Sequence, residues 1–476
     1  MRALALLLLA PALAAQPRVT SSYEVRLPEG ARVQSAVASL DAGGGIVVAA
    51  PVDSSVHVVR ATAEAMAWEA DVRGAGTGEP TLTLVPEHTS GYALGIANGA
   101  VRPSQFRNLS GDRTAEDPLR YLGAVGVRLD LQGRERSRTD LAPRLPEALR
   151  AAPQFVGGWD EGAAVVLGAR YLPDGSDALR DTWLVLTEGW SRARDNAGDT
   201  LTVQALGIAR YDSDGAEAWA VPLNAAPSGE FISAMNTDHL ARNGVMGASA
   251  FRFPLDVFIS AAQGTGTQST VVEVDVETGQ GRPSDGFGPL TAAYESGKEH
   301  DVTADAATDW MTQTLTAETL RLGRTGYATS RTVRPRGAMS AQTIVSEEYV
   351  LETDGPGAAY KWTREGAPPV AACGWAGDIA VFTQEPSTEA EGRPLSVRVL
   401  SRDESGGWTA TEDLRLLTRP LLTNADGSSS PPEIDVLGCS EDGEGALWVA
   451  VASRRRFTSS SDAPLPPAVT VYELAR

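Results

Sequence analysis

Residues Gly207 to Leu223, GIARYDSDGAEAWAVPL, constrain the fold more than any other stretch. An apolar run ending in Arg210 and Tyr211 leads into an acidic turn, Asp212 to Gly215. A second run follows, in which Trp219, Val221 and Leu223 alternate with smaller residues. Alternation with period two describes a strand with one face against a core, and a helix would scatter these side chains around its surface. Asp and Gly between two such runs close a hairpin, because Asp bonds its own backbone and Gly adopts positive φ at no steric cost.

Variants of this unit recur along the chain. VHVV before AMAWEADV (65–72) puts Trp68 where Trp219 stands, and VGVRLDLQGRERSRTDL (125–141) is again strand, acidic turn and strand. Tyr92 to Ile96, Gln154 to Leu167, Thr182 to Leu186, Phe231 to Phe253 and VVEVDVETGQ (271–280) supply further strands. The unit from Val302 to about Trp362 is the least regular, with Trp310 to Leu322 readable as strands or a short helix. AACGWAGDIAVF (371–382) resembles VLGCSEDGEGALWV (436–449), with Cys373 and Cys439 at matching places. Openings fall near Leu40, Tyr92, Trp159, His239, Ala306, Trp375 and Glu441, which makes seven units. Four-stranded units at this period predict an all-β fold, a single β-propeller over 15–476 with seven blades. The ends agree: VTVYELAR, from Val469, has no Trp-bearing strand after it, and Tyr23 to Leu27 has no unit before it. Tyr23 aligns with Trp219, so the leading strand is expected to complete the last blade and cover its bare edge. A sandwich or a string of separate β domains does not explain the spare strand.

MRALALLLLAPALAA opens the chain, with Arg2 before an apolar core and Ala12-Leu13-Ala14 as a cleavage site. This reads as a signal peptide over 1–14, too short to span a membrane, and predicts an exported chain, periplasmic or extracellular. The net charge of −20 opposes binding to nucleic acid or anionic lipid.

Several motifs carry candidate chemistry. Asp-Gly turns recur at Asp174-Gly175, Asp212 to Gly215, Asp426-Gly427 and Asp442-Gly443. Most are explained as hairpin turns. Carboxylates on alternate residues also begin calcium loops, and Asp212 and Asp214 are the first candidates for that ion. Ser401 to Trp408, SRDESGGW, resembles the Asp box of sialidase-type propellers, with Ser405 in the usual glycine place. In that family the box is a structural turn, which implies the fold more than the activity. VDVETGQ (274–280) resembles a turn of quinone-dependent propellers, and Asp212 to Trp219 and Leu129 to Gly133 resemble looser forms. Those enzymes carry adjacent cysteines over the cofactor, which this chain lacks. His57, His88, His239 and His300 make no metal-binding pair, and nucleophile-elbow, Walker and C-x-x-C motifs are absent. Cys373 and Cys439, an even pair in an exported chain, are expected to join neighbouring inner strands as a disulfide.

The functional expectation is an exported scaffold that binds a protein or glycan partner and holds no cofactor. Its long loops, Arg102 to Leu119, Ser191 to Asp199 and Gly281 to His300, are the places to bind. A glycan-active hydrolase or lyase, a quinone-dependent dehydrogenase and a structural surface component are the alternatives; no catalytic residue is assigned. Alkylation of the unreduced protein in denaturant, read by mass, is expected to label no thiol. Two labelled thiols would reject the bridge.

Overall fold

The computed structural model describes residues 16–41, 44–74, 80–87, 90–97, 121–143, 161–172, 182–194, 200–226, 231–234, 245–246, 250–261, 264–279, 281–283, 307–313, 326–333, 346–353, 360–363, 369–384, 393–402, 408–419, 421–423, 429–430, 432–454 and 468–476. The expected leader, the loop at 102–119, His88, His239, His300 and the turns at Asp174 and Asp426 lie outside the described residues. Among the described residues the only helical segment is one 3-10 turn, Val33–Ser35, and no helix is long and apolar enough to cross a membrane.

Among the described residues the strands form seven larger sheets, mostly in chain order, and one two-stranded ribbon, Leu422–Thr423 with Ser429–Ser430. The first sheet is Val37–Leu40, Ile46–Val52, Ser55–Ala61 and Met66–Arg73, innermost strand first. The second is Thr81–Glu87, Gly91–Ala97, Ala124–Asp130 and Glu135–Leu141. The third is Glu161–Leu172, Thr182–Arg194, Thr200–Tyr211 and Glu217–Ala226, with Tyr121–Leu122 added in parallel beside Glu161–Leu172. The fourth runs from Phe231–Ala234 through Ala250–Ala261 and Gly264–Asp275 to Gly281–Pro283. The fifth is Ala307–Gln313, Gly326–Val333, Ser346–Thr353 and Tyr360–Thr363. The sixth is Pro369–Trp375, Asp378–Gln384 and Arg393–Arg402, with Trp408–Ala410 and Leu414–Arg419 both paired to the last of these. The seventh is Glu433–Glu441, Leu447–Arg454 and Ala468–Ala475, and its fourth strand is Arg18–Arg26 from the other end of the chain.

Each sheet packs against the next in sequence, and the seventh packs against the first. A ring of antiparallel sheets closed in this way is a β-propeller. Its cores lie between neighbouring sheets, which explains why strands such as IVVAAPV are apolar at successive positions. Ile46, Val48 and Ala50 enter the core shared with the seventh sheet, alongside Val25, Leu27, Val469 and Val471. Val47 and Ala49 point the other way, into the core shared with the second sheet, with Leu94, Ile96 and Val127. Both faces of a middle strand are therefore buried, and period-two alternation survives mainly on outer strands.

The leading strand completes the last sheet, as expected. Tyr23 lies opposite Val471 and Val25 opposite Val469. The disulfide joins Cys373 and Cys439 with Cα atoms 6.4 Å apart, linking the innermost strands of the sixth and seventh sheets. The sheet that takes a strand from each end of the chain is thus stapled to the sheet before it.

Four boundaries differ from those read in the sequence. Residues 191–194, expected as loop, continue the strand Thr182–Arg194, which pairs from Trp183 to Arg194 with Thr200–Tyr211. Residues 281–283, also expected as loop, add the outer strand of the fourth sheet. Ala307–Gln313 is a strand, which resolves that part of the ambiguous stretch. The first strand begins at Arg18 rather than Tyr23.

Two changes test closure. Val25→Ala removes buried methyls from the core beneath the leading strand and is expected to cost about 2 kcal/mol in denaturant melts. Cys373→Ser with Cys439→Ser is expected to cost roughly 4 kcal/mol, the entropy released to the unfolded chain in the loop-closure account. Unchanged midpoints would contradict both.

Candidate functional site: the turn-bearing face

In an antiparallel sheet the turn between strands one and two lies at the same end as the turn between three and four. Five described acidic turns belong to these two classes, while the Asp53 turn, between strands two and three of the first sheet, lies at the other end. Asp41 to Gly45 joins strands one and two of the first sheet, and Asp442 to Ala446 does so in the seventh. Asp130 to Arg134, Asp212 to Ala216 and Asp275 to Gly279 join strands three and four of the second, third and fourth sheets.

Four of these turns share one construction, while the fifth bonds the Gly279 amide back to the Asp275 carbonyl. The amides of Asp41, Asp130, Asp212 and Asp442 donate to the carbonyl four residues on, and the amide three residues on donates back to each of these aspartates. That third residue is Gly44, Gly133, Gly215 or Gly445, each at positive φ. In the seventh sheet the left-handed residue is therefore Gly445, not the Gly443 of the expected Asp-Gly pair. Asp130 Oδ1 accepts from the amides of Gln132 (2.9 Å) and Arg134 (2.8 Å). Asp442 Oδ1 accepts from Glu444 and Ala446, both at 2.9 Å.

Each described turn also receives a side chain from the preceding sheet. Trp219 Nε1 donates to the Val276 carbonyl at 2.9 Å, and a Cβ on Gly279 would meet its indole at 2.7 Å. Trp375 Nε1 donates to Gly445 O at 2.8 Å, and Thr139 Oγ1 to Ser213 O at 2.8 Å. Trp68 covers Gly133 and Trp448 covers Gly44. Tyr23, which the alignment put in the tryptophan's place, donates its hydroxyl to Gly44 O at 2.5 Å. These contacts put the turns of the first four sheets and the last two at one end of the ring. Burial and then the Asp41 charge push the Tyr23 phenol up to about 12, so it remains a donor.

Three turn carboxylates, Asp130, Asp275 and Asp442, are held below the usual carboxylate range. The Arg134 amide is the largest influence lowering Asp130, with Gln132 adding to it. The Thr278 amide and hydroxyl lower Asp275. Burial raises Asp442, but the Ala446 amide and the Trp448 indole outweigh it and the net shift is downward. Asp212 and Asp214, the calcium candidates, lie in the third sheet's turn. Asp212 Oδ1 faces Arg210 Nη2 at 3.3 Å, and Asp214 Oδ1 accepts the Ala216 amide at 3.1 Å. Among the described residues no group of three or more His, Cys, Asp or Glu is arranged to hold a metal ion.

Two polar clusters were not singled out in the sequence. Glu87 is buried, and both its oxygens take Arg128 at 2.7 Å, while Arg128 lies over the Tyr171 ring. The nearest signal was a charge at the end of an apolar strand, which alone does not name a partner 41 residues away. His57 is also buried, with Nδ1 2.8 Å from Asp71 and Nε2 3.8 Å from Glu69 on the outer strand. Within SRDESGGW, Arg402 pairs with Trp408 as the ends of a hairpin, while 403–407 lie outside the described residues.

No family model matches the chain, and no curated protein matches it. Among solved structures it is similar to the β-propeller domain of the Trilobed protease from Pyrococcus furiosus, at 8% identity and TM-score 0.37, covering 92% of this chain and 93% of that one. It is also similar to NanB in complex with Optactamide, at 10% identity and TM-score 0.39, covering 95% and 70%. A substituted NanB sialidase from Streptococcus pneumoniae matches at 10% identity and TM-score 0.34, over the same shares. The fold assignment itself rests on the strand order and closure above.

Asp275 supplies a pH test. Its folded-state pKa is depressed, so its stabilisation is present above the usual carboxylate range and is lost as pH falls through the folded value. Asp275→Ala is expected to lower the melting temperature at neutral pH, with the gap shrinking in acid. A gap that does not change with pH would contradict the assignment. Gly279→Ala is expected to destabilise by more than 1 kcal/mol, roughly the cost of a strained left-handed residue, because its Cβ also strikes Trp219.

Proposed function

We propose that this chain is an exported propeller of seven blades that acts as a rigid binding scaffold, holding a protein or glycan partner on its turn-bearing face. The observation that carries this reading is the interlocking of the turns. Each described turn is held by its own backbone bonds and by a side chain from the neighbouring sheet that bonds to it or packs on it, yet Asp214, Glu277, Thr278 and Glu444 remain exposed at their tips. A recognition surface built this way loses little conformational freedom on binding, which favours affinity. The disulfide supports an oxidising compartment, in keeping with export. The charge of the turns favours partners that present cationic groups or hydroxyls over phosphorylated ones.

The test is a glycan array and a panel of surface proteins probed with the purified chain, followed by titration of any ligand found. Asp214→Asn, Glu277→Gln and Glu444→Gln together are expected to weaken binding tenfold or more without moving the melting temperature. Asp53→Asn, in the turn at the opposite end of the first sheet, is expected to leave it unchanged. Cleavage or oxidation of the ligand, or binding that ignores the triple change, would overturn the scaffold reading.

A further inference from the structure

The outer edges of the sheets carry different protection against pairing with another chain. Met66–Arg73 bears Glu69, Asp71 and Arg73, and Glu135–Leu141 bears Glu135, Arg136, Arg138 and Asp140. Glu217–Ala226 contains Pro222 and Gly281–Pro283 ends in proline. Tyr360–Thr363 and Trp408–Ala410 are only four and three residues long, and Leu414–Arg419 carries Arg415 and Arg419. Charges, prolines and shortness are the usual means of keeping a sheet edge from finding a partner.

The seventh sheet confines its charges to the two ends of its outer strand, at Arg18, Glu24 and Arg26. Its outer strand, Arg18–Arg26, has nine residues, is exposed along most of its length and contains no proline. From Val19 to Tyr23 it carries no charge. Its one irregularity is a single-residue register shift at Thr20. Val19, at 39% exposure, is one of only three large hydrophobic side chains that are exposed among the described residues.

We propose that this strand is a self-association edge, and that a second copy of the chain lays its own Arg18–Arg26 antiparallel along it, about a twofold axis at Ser21. In that register Ser21 faces Ser21, Thr20 faces Ser22, and the exposed Val19 faces Tyr23. Arg18 faces Glu24, and the symmetry repeats this ion pair at the other end. Centring the axis on Ser22 would instead set Arg18 against Arg26, and centring it on Thr20 would leave Glu24 against Gln16. Glu24 is half exposed in its local contact with Arg26, so it remains open to a second cation. The two four-stranded sheets then become one sheet of eight strands, whose middle strands are the N-terminal strands of two copies.

Light scattering across a concentration series at low salt tests this. The parent protein is expected to reach twice the chain mass. Glu24→Arg sets arginine against Arg18 at both ends and is expected to weaken the dimer about tenfold, with an unchanged melting temperature. Arg18→Glu combined with Glu24→Arg is expected to restore it. Within one chain these positions are six residues, about 20 Å, apart along a strand, so the rescue can act only between copies. Ser21→Lys, which places two lysines face to face on the axis, is expected to abolish the dimer. A parent that stays monomeric, a Glu24→Arg protein that dimerises as tightly, or a double exchange that fails to rescue would each overturn the proposal.

Discussion

The last sheet of this chain has only three strands of its own, and its fourth strand and part of its core come from the other end. Its own strands end at Ala475, and the missing fourth strand is Arg18–Arg26. The pairing does two jobs. It covers the edge of Ala468–Ala475, and it carries Val25 and Leu27 into the core between the last sheet and the first. Ring closure and core formation at that boundary are therefore one event. It joins residues more than four hundred positions apart, so its loop-closure entropy must be met by the burial it completes.

The remaining boundaries use smaller devices of one kind. A side chain on one sheet reaches forward to the turn of the next: Tyr23 to Gly44, Trp68 to Gly133, Thr139 to Ser213, Trp219 to Val276 and Trp375 to Gly445. Because the acceptor is usually a backbone carbonyl in a tight turn, the donor needs only to be long and rigid, and tryptophan, tyrosine and threonine share the task. The disulfide adds a covalent link at the boundary next to the closing sheet, and the side chain of Arg476 adds a third. It lies over Trp375, pairs with Asp378 at 2.7 Å and donates to Trp375 O at 2.8 Å. Among the described residues, both ends of the chain are thus fastened to their neighbouring sheets.

Much of this was legible in the sequence, because closure leaves a signature in the strand order. Tyr23 was placed opposite the last strand by its alignment with Trp219, and both residues perform the same forward reach. The cysteine pair was legible because repeats place equivalent residues at equivalent heights on neighbouring inner strands. What stayed hidden depends on partners far away in the chain. Glu87 gives no local sign that Arg128 will pair with it, since their strands, Thr81–Glu87 and Ala124–Asp130, flank Gly91–Ala97 and meet only once the sheet is assembled. Ser191 to Arg194 reads as polar loop because outward-extending strands need no apolar residues, and pairing alone orders their backbone. In EDGEG both glycines fit a turn, and only the backbone geometry selects Gly445 as the left-handed one. The long loops read as places to bind lie largely outside the described residues, and the short turns read as purely structural because of their regularity.

Amide hydrogen exchange of the N-terminal strand measures closure most directly. If the ring is shut by this strand, amides of Tyr23 to Arg26 that pair with the last strand exchange as slowly as those of Val469 to Val471 across from them, and both lose protection together at the global unfolding midpoint. Fast exchange in Tyr23 to Arg26 beside a protected Val469 to Val471 would mean that the ring holds without the strand, and would contradict the account.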